Sequence, residues 1–208
     1  MHDDIPKESK IFHDRFESRG RRYCSGPGGY NPRALLLPDR VLPLSQPAAI
    51  EQHASVVRVR DALGAQGLVD RIVVLSDSTR TAQMTADALG CKVAQIANSL
   101  VFRLMASDQA LLVLSSGAKR VDMKRLVAVT AEPVGKADAN FVRDKTGFVI
   151  GGVAPVGHSQ PLRRPVERSL FAFDEIWAAA GHPHTVFRLT PNELVRITNA
   201  EIVAVAET

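Results

Sequence analysis

Cysteine is scarce in this chain. Cys24 and Cys91 are the only two, in regions of different texture, which excludes a disulfide framework and a cysteine metal cluster. Aromatic residues are also few, with a single tryptophan, so a stacked-ring surface for single-stranded nucleic acid is not indicated. No apolar run approaches the length that crosses a bilayer. Residues 1–30 lack the apolar core and small-residue cleavage pattern of a secretory leader. The expected compartment is the cytoplasm, with no membrane partner. Neither a Ser-His-Asp nor a Cys-His arrangement can be assembled, and no cofactor is expected. The charge balance, 26 Lys and Arg against 22 Asp and Glu, is mildly basic, compatible with a polyanionic partner without requiring one.

What is present divides at about residue 54. The first fifty residues hold half of the prolines, both tyrosines and the turn-rich CSGPGGYNP at 24–32. Residues 1–53 read as a Pro/Gly-rich arm, partly extended or disordered, and residues 54–208 as one folded domain. Within the domain, Val56, Val59, Leu63 and Leu68 predict a helix with one apolar face and Gly67 near its end. A short strand follows at 72–75, then a helix ending at Gly90, with Ser76 or Ser78 as its cap. Residues 93–96 and 100–104 read as extended, turning at 107–109 into 111–114, a hairpin.

A helix is expected after Gly117, with Val121, Met123 or Lys124, and Leu126 facing inward, and another at 137–144. Residues 170–173 predict a strand, and EIWAAAG at 175–181 a short helix. Residues 184–189 and 202–206 read as strands, separated by a helix opened by the capping box Thr190-Pro191-Asn192-Glu193. Strands and helices mix without regular βαβ alternation. That predicts an α+β fold: a mixed, largely antiparallel sheet or barrel-like core surrounded by helices.

The stretch around which chemistry can be organised is TGFVIGGVAPVGH at 146–158. An apolar run leads into Gly151-Gly152, which bring bare backbone close to a ligand. Together with TAQMTADALG at 81–90, QIANSLVF at 95–102, GAKRVDMKRL at 117–126 and AAAGHPHTVFRLTPNEL at 178–194, this loop resembles the YbaK/EbsC family of aminoacyl-tRNA editing domains, which includes the proline-tRNA-synthetase-associated deacylases.

The resemblance implies the fold of those domains and hydrolysis, in trans, of the ester joining a mischarged amino acid to tRNA. In the family the Gly-x-x-x-Pro loop holds the aminoacyl group and the tRNA's own terminal hydroxyl assists. Carried onto this sequence, Asn98, Gly151, Gly152 and His158 are the catalytic candidates. Ser99, Thr146, Val153, Ala154, Pro155 and Gly181 are the substrate-binding candidates, and the small Val153 and Ala154 imply a small amino acid such as alanine, serine or cysteine. Lys119, Arg120, Lys124, Lys136, Arg143 and Lys145 are candidates for phosphates of the tRNA acceptor end. A synthetase and a second copy of this chain are the candidate protein partners.

Two departures stand out. The family's K-[ST]-L is Asn98-Ser99-Leu100 here, and Ala154 replaces the serine of GG[IV]SP; Glu167 is the candidate for a following acidic position. The lost lysine charge makes a non-catalytic module that binds aminoacyl-tRNA or a small acyl ligand the alternative reading. His182-Pro183-His184, with no carboxylate pair nearby, is poor ligand geometry, and no metal is expected. Trp177 is expected in the core.

Overall fold

The computed structural model describes residues 45–76 and 81–207. Of the arm expected over residues 1–53, residues 1–44 with Cys24 lie outside the described residues, as does Ser78 as a helix cap, while residues 45–51 form a helix.

The helices that follow Thr81, Asp122, Asp138 and Thr190 each start where that threonine or aspartate side chain takes up a free amide group. After the short helix α1 (Ser45–Glu51), α2 (Ala54–Gly64) opens at His53 and buries Val56, Val59 and Leu63, the predicted apolar stripe. Strand β1 (Ile72–Val74) follows. Helix α3 (Ala82–Leu89) is capped by Thr81, whose hydroxyl accepts from Met84 N, and closed by Gly90 in the left-handed region. Strands β2 (Ile96–Leu104) and β3 (Ala110–Ser116) form the expected hairpin, paired from Ala97–Ser116 to Arg103–Ala110.

Asp122 caps α4 (Met123–Thr130). Leu126 is buried on it as expected, with Thr130, whereas Met123, expected to face inward, is 40% exposed. Next come β4 (Val134–Lys136) and α5 (Ala139–Thr146), which begins two residues later than expected because Asp138 is its cap. Strands β5 (Val166–Glu167), β6 (Ile176–Ala179) and β7 (Thr185–Leu189) precede α6 (Pro191–Thr198) and β8 (Ile202–Val203). At α6 the capping box is made as read: Thr190 and Glu193 exchange side-chain and backbone hydrogen bonds.

Three local expectations are corrected. Residues 93–95 form a 3-10 turn rather than an extended lead-in, held by Gln95, whose side chain accepts from Lys92 N and donates to Glu175 O. Residues 168–172 are also a 3-10 turn rather than a strand, because the buried Glu167 carboxylate takes Ser169 N and starts a helical turn. The alanine-rich segment read as a helix is instead β6. Its residues pair with β2 on one side and β7 on the other, so sheet pairing overrides the helical propensity of alanine.

Among the described residues the sheet has eight strands, in the order β1-β7-β6-β2-β3-β5-β8 with β4 added beside β2. The pairs β1–β7, β2–β3, β2–β4 and β6–β7 are antiparallel, and β2–β6, β3–β5 and β5–β8 are parallel. The sheet is mixed as expected, and it is open rather than closed into a barrel.

Strand alternation sorts the core between its two faces. Ala97, Leu112, Leu114, Ile176 and Ala178 meet α2, α5 and α6 on one face. On the other, Leu111 and Val113 meet α4, while Ile96 and Trp177 meet α3. Burying each large aliphatic side chain contributes about 1.5–3 kcal/mol, so the doubly covered β3 anchors the sheet against which the site is built. Among the described residues no helix is long and apolar enough to cross a membrane.

Candidate functional site

The site begins as an interruption in pairing. One edge of β2 pairs with β6 at Ile96 and Ala97, and resumes with β4 only at Phe102. Between them, residues 98–101 have no strand partner on that edge among the described residues. Unpaired strand edges offer backbone donors and acceptors, and here the gap opens into a cleft of about 200 Å³ lined by Asn98, Ser99, Gly151, Val153, Trp177 and His182, with the first turn of α3 along one wall. Four of the candidates named from the sequence, Asn98, Ser99, Gly151 and Val153, are therefore brought together.

The glycine loop is held by its ends. The Thr146 hydroxyl donates to Val142 O (2.6 Å) and accepts from Phe148 N (3.1 Å), fixing the exit from α5. Arg58 of α2 donates to Gly147 O (2.6 Å) and lies 5.1 Å from the Phe148 ring centroid. Gly151 has φ +91°, a conformation that favours glycine. A Cβ on Gly152 would stand 3.1 Å from both N and Cα of His182, so the missing side chain lets the loop lie against the backbone that carries His182. Val153, Ala154, Pro155 and Val156 are buried. Ala154 is fully enclosed in the core and does not line the cleft. Thr146, Gly152, Pro155 and Gly181 also support the loop from outside the lining.

The two histidines exchange the roles the sequence suggests. His158 lies outside the cleft lining, edge-on to Phe148 with ring centroids 5.6 Å apart. Burial first, then the Arg164 and Arg58 guanidinium groups, lower its pKa from 6.5 to about 4 against an opposing backbone hydrogen bond at Ala154. It is therefore neutral at pH 7. A folded pKa below the unfolded one means the unfolded chain takes up the proton first, so stability is full above pH 6.5 and is lost as pH falls from 6.5 through 4. The expected loss is about 3 kcal/mol at 1.36 kcal/mol per pKa unit. Urea unfolding of wild type and His158→Gln at pH 7.5 and 4.5 measures it as the difference between the two slopes; equal slopes would sink the assignment.

His182 lines the cleft instead. Its Nδ1 accepts from His184 N (3.2 Å), which leaves the proton of the neutral ring on Nε2. Its pKa is lowered by burial and then by His53 and His184. The three rings stand side by side, 5.1 and 5.4 Å between centroids, and among the described residues no group of three or more His, Cys, Asp or Glu could hold a metal ion. His182 and Trp177 are among the lining residues that sequence reasoning did not assign to the site. The proximity of the 178–194 segment to the glycine loop, which depends on Gly152 and on β6 being a strand, was the missing information.

The basic candidates separate. Lys119 and Arg120 are exposed between β3 and α4, Lys124 in the first turn of α4, and Arg143 on α5. Lys136 is exposed opposite Phe102, where β4 meets the gap in β2. Lys145 is bound into a surface cluster instead, 3.6 Å from Asp108 and over the Phe141 ring. Glu167, 3% exposed, is occupied by its turn and lies outside the cleft lining.

Comparison with known proteins bears on the fold and the family. Residues 76–197 match the family model described as an aminoacyl-tRNA editing domain. A solved structure of a proposed trans-editing enzyme for prolyl tRNA synthetase is 40% identical, with a TM-score of 0.70 over 74% of this chain and 98% of that one. The crystal structure of a hypothetical protein is 28% identical, with a TM-score of 0.68 over 72% of this chain and 99% of that one. The uncharacterized protein YwhH of Bacillus subtilis is 29% identical over 60% of this chain and 79% of its own length.

Proposed function

The chain belongs to the aminoacyl-tRNA editing domain family, and from that premise we propose that it is a trans-acting deacylase that hydrolyses the ester between a small mischarged amino acid and tRNA. The observation that carries the reading is the break in the β2 edge at residues 98–101, faced by the Gly151 loop in one cleft. In the reaction, water adds to the ester carbonyl, the carbon–oxygen bond to the ribose breaks, and free amino acid and a terminal ribose hydroxyl are released. An aminoacyl ester is already activated, so what the protein supplies is orientation and donors for the developing oxyanion. Backbone groups of Gly151 and its neighbours support the aminoacyl group in this scheme. Asn98 and Ser99 orient the ribose or the attacking water, and the His182 Nε2–H is an uncharged donor at the lip.

His158 acts indirectly, as a neutral brace behind the loop. Lys119, Arg120, Lys124, Lys136 and Arg143 supply phosphate contacts, so affinity falls as salt rises. Residues 54–208 carry the catalytic unit in this scheme, and the cytoplasm, where charged tRNA is used, is the working compartment.

The test is release of amino acid from tRNAs charged with alanine, serine, cysteine and proline, by wild type and Asn98→Ala. Hydrolysis of a small amino acid is expected, reduced about tenfold by the loss of one amide hydrogen bond. Retention of charged tRNA at low salt with no hydrolysis above the uncatalysed rate would replace the enzyme reading with that of a binding module.

A further inference from the structure

We propose that the indole N–H of Trp177 makes the cleft selective for an amino acid whose side chain carries a hydroxyl, serine or threonine rather than alanine. The inference rests on the editing reading and concerns the side-chain end of the same cleft. Trp177 is 5% exposed. Its ring packs with Ala86, Ile96 and Val186, and Ala82 in the first turn of α3 joins the same cluster. Register fixes it as well: it stands opposite Ile96 on β2 and Arg188 on β7. Everything apolar about this side chain is accounted for, yet its Nε1 is buried without a hydrogen-bond partner. A buried donor left unpaired costs about as much as a lost hydrogen bond, and Trp177 lines the cleft.

The surroundings fix the size of the group it takes. On the Trp177 face, Ala82 in the first turn of α3 and Ala179, two residues further along β6, line the cleft, and their methyl groups leave room for a short side chain. A hydroxyl oxygen is the smallest acceptor an amino acid can bring to an N–H. Because the donor is screened from water, a ligand that cannot pair with it is rejected more strongly than one that merely fits loosely. Ser99 Oγ is also unpartnered, but it follows Ile96 by three residues on an alternating strand and belongs to the opposite face. It contributes to the ester and ribose end and does not discriminate between side chains.

The experiment uses the full chain and one tRNA charged separately with serine and with alanine. Wild type is expected to show kcat/KM for the seryl ester at least tenfold above that for the alanyl ester. Trp177→Phe keeps the aromatic bulk and removes the N–H; it is expected to lower the seryl value about tenfold and leave the alanyl value within twofold. Ser99→Ala is expected to change both values by the same factor, and thermal unfolding checks that each variant is folded.

Equal wild-type rates for the two esters, or an equal fall for both in Trp177→Phe, would overturn the assignment while leaving deacylation standing. If neither ester is hydrolysed, the editing reading fails separately. The selectivity is then read from binding of seryl- and alanyl-sulfamoyl adenosine, followed by the emission of Trp177, the only tryptophan of the chain. Tenfold tighter seryl binding supports the inference, and equal binding ends it.

Discussion

Replacing Gly181 with alanine is expected to lower the unfolding free energy by about 3–5 kcal/mol, the sum of a strained backbone angle and a steric overlap. Gly181 has φ +93°, and a Cβ there would lie 2.6 Å from Ser55 O, 2.8 Å from Ser55 C and 3.2 Å from the Phe148 ring. The obstacle is backbone in the first turn of α2, and that turn cannot withdraw, because Val56 and Val59 immediately after it are completely buried. For a unit of this size each kcal/mol moves the melting temperature by roughly 2–4 °C. Thermal unfolding of Gly181→Ala should therefore fall roughly 6–20 °C below wild type. Gly67 is the control: its φ is +74° but a Cβ would meet nothing within 4 Å, so Gly67→Ala carries only the conformational cost, about 1 kcal/mol. Equal losses in the two variants would show that the overlap with Ser55 contributes nothing.

That contrast also marks the limit of what the sequence makes legible. Both glycines announce a turn, and only the fold reveals that one of them lies against a helix more than a hundred residues away. Features set by a few adjacent residues could be read directly. The Thr190–Glu193 box closes through its own side chains, and the β2–β3 hairpin follows from two apolar runs and a short turn. β6 was not legible, because its alanines favour a helix locally and become a strand only when β2 and β7 flank them.

The site divides in the same way. Gly151 and Val153 lie in a stretch whose glycines signal exposed backbone, Asn98 and Ser99 are named by the family resemblance, and the four meet in the cleft. Thr146, Ala154, Pro155 and His158 belong to the same glycine-bearing stretch but turn into the support behind it: Thr146 holds the exit from α5 and residues 153–156 are buried in succession. His182 and Trp177 reach the cleft through β6 and the turn after it, a route that a helix in that place would have closed.

Gly151→Ala should do the reverse of Gly181→Ala, costing activity and sparing the fold. Gly151 is at the open lip, beside Ile150, which is 61% exposed, and its φ of +91° makes a side chain there strained by about 1–3 kcal/mol. The loop can relieve that strain by turning the 149–152 segment, where Gly152 N donates to Val149 O at 3.0 Å. The core residues from Val153 onward need not move. Relief of that kind shifts the backbone groups that face the ester, and a displacement of about 1 Å costs about a hundredfold in rate. The expected result is a hundredfold lower kcat/KM for the preferred aminoacyl-tRNA, with a melting temperature within a few degrees of wild type. How the loss divides is informative. A fall in kcat alone means that the loop's amides act on the developing oxyanion, whereas a rise in KM alone means that they hold the aminoacyl group equally in both states. Activity within twofold of wild type would reduce the loop to a turn and leave the edge of β2 as the only catalytic surface of the cleft.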